Sequence, residues 1–90
     1  METILIIEDV ESLGQMLSQA VTRVGFRVIL AADAETGIAR LTEDDVDLVV
    51  TDLRLPKKSG LDVLRSVKEH SAEIPVILMT AHGSIEIAVA

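Results

Sequence analysis

Four short apolar runs, separated by stretches with helical periodicity, constrain the fold of this chain more than any other feature. The runs are residues 4–7, 28–31, 48–50 and 76–79. The first and the last are rich in branched side chains and show no alternation of apolar and polar residues. Strands buried on both faces have this composition, and such strands belong to parallel sheets that are covered by helices. The sequence therefore predicts four buried parallel strands.

The stretches between the runs repeat apolar residues every three or four positions, which predicts amphipathic helices. In the first stretch the repeating residues are Val10, Leu13, Leu17, Ala20, Val21 and Val24. Gly25 follows them as a predicted helix stop. Asp33 is the predicted N-cap of a second helix, whose apolar side carries Ala34, Ile38 and Leu41.

A third helix is predicted to begin at Ser59, because Asp62 three residues later completes the pattern of a capping box. Its inward residues are expected to be Leu61, Leu64 and Val67. A fourth helix is predicted from Ser84, with Ile85, Ala88 and Val89 facing inward. Strands alternating with helices indicate right-handed crossovers and an α/β fold with a doubly wound parallel sheet, forming one domain over residues 1–90.

Composition and charge exclude several classes of function. The formal net charge is −7, from 15 acidic and 8 basic side chains, which argues against direct binding to nucleic acid. Phe26 is the one aromatic residue, so a base-stacking surface is excluded as well. No apolar run approaches the roughly 20 residues that cross a bilayer. The first residues lack the basic start of a signal peptide, so a cytoplasmic protein that does not contact membranes is expected.

Acidic residues follow two of the predicted strands directly. Glu8 and Asp9 come after the first run, and Asp52 comes after the third. The ligand crevice of an open parallel sheet lies at the carboxyl ends of the strands, where the strand order reverses. If the first and third strands are neighbours, three carboxylates meet in one pocket and repel one another. A hard divalent cation removes that cost, and Mg²⁺ prefers oxygen ligands and keeps waters that a phosphoryl group can replace.

Thr80 ends the fourth run, so its hydroxyl is expected at the same edge of the sheet, where it can donate to a phosphoryl oxygen. Thr51 should point to the other face of its strand and is left out of the site. Each candidate also has an ordinary structural interpretation. Asp9 can cap a helix, Asp52 can be a turn residue, and Thr80 can be a β-branched strand residue.

Four segments resemble response-regulator receiver domains of two-component signalling. They are residues 6–9 (IIED), 49–56 (VVTDLRLP), 59–61 (SGL) and 76–81 (VILMTA). The stretch DLRLPKKSGL is the most specific of them, and the order and spacing fit across the whole chain. The resemblance implies a flavodoxin-like receiver fold with the strand order 2-1-3-4.

The resemblance also implies roles for individual residues. Asp52 would be the phosphoacceptor, receiving a phosphoryl group from a histidine kinase. Asp9 would bind Mg²⁺ directly, Glu8 would act mainly through a bound water, and the main-chain carbonyl of Arg54 would be a further metal ligand. Thr80 would be the switch hydroxyl. Residues 80–84 (TAHGS) are similar to the same segment in receivers of enhancer-binding transcriptional activators, which implies an output in transcription.

The chain departs from the family pattern at its end. Receiver domains continue through a fifth strand and a fifth helix, which carry a lysine that contacts the phosphoryl group and an aromatic partner of the switch hydroxyl. This chain ends at Ala90, within the predicted fourth helix, so both elements are expected to be missing. Phosphorylation is then expected to be weaker or uncoupled from switching. The fourth strand would become an apolar sheet edge, which predicts a homo-oligomer formed by edge pairing or by exchange of elements between chains.

Three hypotheses about function remain open at this stage. The first is a phosphorylatable signalling switch, and the second is a truncated receiver that serves only as an interaction or dimerisation module. The third is a small phosphohydrolase that uses Asp52 as its nucleophile. It is disfavoured because Arg54 stands two residues later, where such an enzyme needs a second acid. The chain is accordingly not expected to be an enzyme.

Overall fold

The computed structural model describes residues 1–79 and 85–88. Its elements are β1 (Thr3–Ile7), α1 (Glu11–Val24), β2 (Arg27–Ala31), α2 (Ala34–Glu43), β3 (Leu48–Asp52), α3 (Gly60–His70), β4 (Val76–Met79) and β5 (Ile85–Ala88). They form one sheet with the strand order β2-β1-β3-β4-β5, in which the first four strands are parallel. The predicted doubly wound α/β fold and the order 2-1-3-4 are confirmed.

The core lies mainly between the sheet and the pair α2 and α3. Strand β1 has neighbours on both sides, and Leu5 and Ile7 are fully buried in it. Val49 of β3 and Val63 of α3 are also fully buried and belong to the same apolar cluster. Helix α1 packs on β1 and β2. This arrangement explains the unbroken apolar runs of the sequence, because helices cover the strands.

The predicted helix ends are confirmed where local signals specify them. Gly25 has a φ of 113°, in the left-handed region that favours glycine, and ends α1. The Asp33 carboxylate accepts a hydrogen bond of 2.7 Å from the N–H of Thr36 at the start of α2. Ser59 and Asp62 form the reciprocal capping box at the start of α3.

The predicted inward face of α3 is wrong at one position. Leu61 is 53% exposed, whereas Val63 and Val67 are fully buried. Val63 and Val67 are four residues apart, so they lie on the same face of α3, which packs on the sheet. Leu61 precedes Val63 by two residues, a spacing that places it on the other side of the helix, toward solvent.

The predicted fourth helix is wrong. Residues Ile85–Ala88 form β5, which pairs with β4 in the antiparallel direction, with Met79 opposite Ile85. The main-chain groups along β4 provide hydrogen-bonding partners that a strand satisfies directly, and two isoleucines in alternate positions suit a strand. The exposed sheet edge predicted at β4 is therefore wrong too, because β5 pairs along it. Ser84 and Val89 lie outside the described residues.

This result removes the basis for self-association by pairing along β4, while exchange of elements between chains stays a prediction.

Within residues 1–79 and 85–88, no helix combines the length and the apolar composition that crossing a membrane requires.

Candidate phosphoryl and metal site

Three carboxylates meet at the carboxyl ends of β1 and β3. Glu8 and Asp9 follow β1 directly, and Asp52 is the last residue of β3. The two strands are neighbours, with Ile7 paired to Thr51, so the next residues of both strands lie side by side. One carboxylate oxygen from each acid lies within 4.8 Å of the others. The predicted convergence of these three side chains is confirmed.

Glu8 is the buried member of this cluster, with 2% of its surface exposed. Its N–H donates to the carbonyl of Ala31 at 3.0 Å, which extends the pairing of β1 with β2 by one residue. Its Oε1 accepts a hydrogen bond of 3.0 Å from the N–H of Val10. Its Oε2 is buried and has no hydrogen-bond partner among the described residues. An unpaired buried carboxylate oxygen costs free energy, so the burial of this atom indicates that the site binds a ligand.

The electrostatics of the cluster agree with that interpretation. The pKa of the Glu8 carboxyl is raised from 4.5 to about 7, mainly because the group is buried, while the N–H of Val10 opposes the rise. The negative charges of Asp52 and Asp9, together with side-chain contact with Asp52, contribute to the same rise. Glu8 is therefore about half protonated near neutral pH in the absence of a cation. A cation beside the carboxylates would release that proton.

The donor set fits a hard divalent cation. Carboxylate oxygens are the ligands that Mg²⁺ prefers, and Mg²⁺ is commonly held by one or two carboxylates together with waters. The ordinary interpretation of Asp9 as a helix cap is wrong, because Val10 is the N-cap residue of α1 and no side chain in the described part of the chain caps that end. Asp9 is exposed beside the buried Glu8 and is available as a ligand.

The main chain after β3 holds the Asp52 carboxylate. The N–H of Arg54 donates to Asp52 Oδ1 at 3.1 Å, a contact that the sequence reasoning missed. Asp52 is partly buried and Arg54 is exposed. The role predicted for the Arg54 carbonyl as a metal ligand stays a prediction. Thr80, the predicted switch hydroxyl, lies outside the described residues.

Two further residues beside Asp52 were not placed in the site from the sequence. The Thr51 hydroxyl, on the face of β3 opposite the Asp52 carboxylate, donates to the main-chain carbonyl of Asp52 at 3.1 Å. A Cβ atom on Gly60 would lie 2.5 Å from the same carbonyl oxygen, so only glycine fits there without a shift of the main chain. The available signal was the glycine that directly follows the predicted N-cap Ser59.

A cavity of about 370 Å³ adjoins the carboxylates between α1 and the end of β2. Its lining residues are Glu8, Asp9, Glu11, Gly14, Gln15, Leu30 and Ala32. The cluster is thus open to small solutes on the side of Asp9, while Glu8 closes it toward the core.

A sequence model of the family described as "response regulator receiver domain" matches residues 4–90. The transcriptional regulatory protein QseB of Haemophilus influenzae is 40% identical over 83 residues, which cover 92% of this chain and 38% of QseB. The luminescence regulatory protein LuxO of Vibrio campbellii is 37% identical over 83 residues, covering 92% of this chain and 18% of LuxO. The chain spans about two-fifths or less of the length of these curated relatives.

Solved structures give the same result. A response regulator receiver domain protein from Clostridium thermocellum superposes with a TM-score of 0.87 at 33% identity, covering 92% of this chain and 68% of the other. TrrA from Thermotoga maritima, solved in complex with Mg²⁺-BeF, superposes with a TM-score of 0.85 at 26% identity, covering 90% of this chain and 70% of TrrA. Fold, carboxylate cluster and sequence agree, and the chain belongs to the family of response regulator receiver domains found in two-component response regulators.

Proposed function

We propose that Asp52 accepts a phosphoryl group from a phosphohistidine of a histidine kinase, and that this modification switches the chain between two signalling states. The observation that carries this proposal is the cluster of Glu8, Asp9 and Asp52, whose oxygens lie within 4.8 Å of one another. The buried Glu8 Oε2, which has no partner among the described residues, supports a cation at this cluster.

Asp52 is placed to act as the nucleophile. The N–H of Arg54 holds Oδ1 at 3.1 Å, which leaves Oδ2 to attack. In the transfer, the Asp52 oxygen forms a bond to phosphorus while the bond from phosphorus to the kinase imidazole nitrogen breaks, and that nitrogen keeps the electron pair. The products are an aspartyl phosphate and a histidine that leaves neutral because its other ring nitrogen carries a proton. The chain contributes position and charge compensation to this step.

Asp9 and Asp52 are the proposed direct ligands of Mg²⁺, with Glu8 acting mainly through a bound water and the Arg54 carbonyl as a further ligand. When bound, Mg²⁺ neutralises the negative charge that the carboxylates share with the phosphoryl oxygens. The complex of TrrA with Mg²⁺-BeF supports this assignment by relationship. Thr80 is the proposed switch hydroxyl.

The proposed setting is a cytoplasmic response regulator, with a histidine kinase as the phosphodonor and transcription as the regulated output. Relatives named as transcriptional regulatory proteins support the output. The chain takes up one phosphoryl group and does not turn over substrate as an enzyme does. Its net charge of −7 favours an effect on transcription through other parts of a regulator, because direct contact with DNA phosphates needs basic side chains.

Incubation of the chain with Mg²⁺ and acetyl phosphate, followed by intact-mass analysis, tests the proposal. We expect one phosphoryl group on the chain, none on Asp52→Asn, and normal labelling of Asp45→Asn, an exposed acid outside the cluster. Absence of labelling together with absence of Mg²⁺ binding would support the alternative of an interaction module without phosphorylation. Continuous release of phosphate over many turnovers would instead indicate the phosphohydrolase.

A further inference from the structure

Thr51 is a fully buried polar residue whose hydroxyl contacts the phosphoacceptor residue itself. It alternates with Asp52 along β3, so its side chain lies on the face covered by α3. Its Oγ1 donates to the carbonyl oxygen of Asp52 at 3.1 Å. The hydroxyl therefore acts on the main chain of Asp52 from the face opposite the carboxylate.

The peptide group between Asp52 and Leu53 is held on both sides. Its carbonyl accepts the Thr51 hydroxyl, and its N–H donates to the carbonyl of Met79 in β4 at 2.8 Å. Gly60 closes the remaining space, because a Cβ there would lie 2.5 Å from the Asp52 carbonyl oxygen and 2.9 Å from the Cα of Leu53. The orientation of this peptide group is thus fixed by a side chain, a neighbouring strand and the start of α3.

The next peptide group, between Leu53 and Arg54, is held in the same way. Its carbonyl accepts a hydrogen bond of 2.7 Å from the N–H of Gly60. Its N–H is the group that donates to Asp52 Oδ1 at 3.1 Å. Two consecutive peptide groups therefore connect the Thr51 hydroxyl to the position of the Asp52 carboxylate. A change in the first peptide group changes the direction from which the second one holds the carboxylate.

We propose that Thr51 is a positioning residue for the site: through the main chain of Asp52–Arg54, its hydroxyl sets the orientation of the Asp52 carboxylate and thereby the affinity for Mg²⁺. This inference rests on the proposed function of the carboxylate cluster. It also explains why a hydroxyl occupies a fully buried strand position that otherwise has apolar neighbours, Val49 and Val63 among them.

Thr51→Val tests the proposal because it replaces the hydroxyl by a methyl group of similar size. Mg²⁺ alone is titrated into the ¹⁵N-labelled chain and followed by the shifts of its amide resonances. We expect Mg²⁺ to bind Thr51→Val about tenfold more weakly, since loss of a group that orients a metal ligand lowers affinity by about that factor or more. Thr51→Ser keeps the hydroxyl and is expected to bind as the wild type does.

Thr3→Val is the matched control, because Thr3 is buried at the opposite end of the sheet in β1. It is expected to leave Mg²⁺ affinity unchanged. The second readout is hydrogen exchange of the Arg54 amide, which is expected to become faster in Thr51→Val while amides in the core of β1 keep their protection. A general loss of stability would instead speed exchange throughout the sheet. Thr51→Ala serves as a second variant without the hydroxyl.

The outcomes separate this inference from the proposed function. If the wild type itself binds no Mg²⁺, the proposed function fails. If the wild type binds Mg²⁺ and a folded Thr51→Val or Thr51→Ala binds it equally well, the positioning role of Thr51 is refuted. Weaker binding in the variants without the hydroxyl, with recovery in Thr51→Ser, supports it.

Discussion

Replacing Glu8 with glutamine is expected to stabilise the metal-free chain and to weaken its binding of Mg²⁺. Glutamine keeps the shape of the side chain and is uncharged at every pH used. Glu8 in the wild type is buried, and its Oε2 has no partner among the described residues, so its charged form is held at a cost. Removal of the charge removes that cost along with a group that the cation needs.

The size of the effect follows from the pKa. The pKa of Glu8 rises from 4.5 to about 7 in the folded chain. A pKa difference of this size lowers the free energy of unfolding by about 3 kcal/mol at most. The folded state binds more protons than the unfolded state between these two values, so stability falls as the pH rises through this window. Solvent around the exposed Asp9 screens part of the repulsion, and we expect about 1–2 kcal/mol to be measured.

Thermal unfolding followed by circular dichroism, in buffer containing a chelator, measures this difference. Near pH 8, Glu8→Gln is expected to unfold about 5–10 °C above the wild type. Near pH 5, Glu8 is protonated in the folded wild type, and the difference in the free energy of unfolding between the two proteins should fall to about 1 kcal/mol or less. Glu11→Gln, an exposed acid in the first turn of α1, is the control and should show no such dependence on pH.

Addition of Mg²⁺ should reverse the order of stability. A ligand at one hundred times its dissociation constant stabilises a folded protein by about 2.7 kcal/mol. The wild type should gain this amount near pH 8, and Glu8→Gln should gain much less at the same concentration. The reasoning is refuted if Glu8→Gln is equal to the wild type or less stable at both pH values without metal, or if Mg²⁺ stabilises both proteins equally.

Three further substitutions test the packing around the site by urea unfolding. Gly60→Ala places a Cβ 2.5 Å from a main-chain oxygen that cannot move freely, and should destabilise the fold by about 2 kcal/mol or more. Gly14→Ala places a Cβ 3.1 Å from the exposed side chain of Leu30 and at an ordinary contact distance of 3.7 Å from the Cβ of Glu8, and should be neutral or stabilising by up to about 1 kcal/mol because alanine favours a helix. Ser59→Ala removes the acceptor of the Asp62 N–H and should cost about 1 kcal/mol. Equal effects of the two glycine substitutions would contradict this view of the packing.

The sequence predicts best what neighbouring residues determine. The capping box of Ser59 and Asp62 and the helix stop at Gly25 are local, and both are confirmed. The three carboxylates were predictable because parallel strands bring their carboxyl ends to one edge, so strand order alone places Asp52 beside Glu8.

Longer-range effects limit the prediction. Strand β5 depends on the main-chain partners that β4 provides, and the periodicity of four residues does not contain that information. The contacts of Thr51 and Gly60 depend on the path of the main chain after β3, which positions the start of α3 against the Asp52 carbonyl. The sequence around Thr51 and Gly60 does not indicate that both residues contact the carbonyl of Asp52.

The position of Glu8 argues for function independently of family. Every side chain from Ile4 to Ile7 is apolar and buried, and the next position along the chain buries an acid whose Oε2 has no partner among the described residues. An apolar residue there would continue the core at no electrostatic cost, so stability alone gives no reason for the acid. Proteins depart from the rule that buried positions are apolar mainly at sites where they bind a ligand. Above the pKa of Glu8, where the side chain is charged, the cost is recovered only when a cation is bound, which makes folding and metal binding thermodynamically linked through this one side chain.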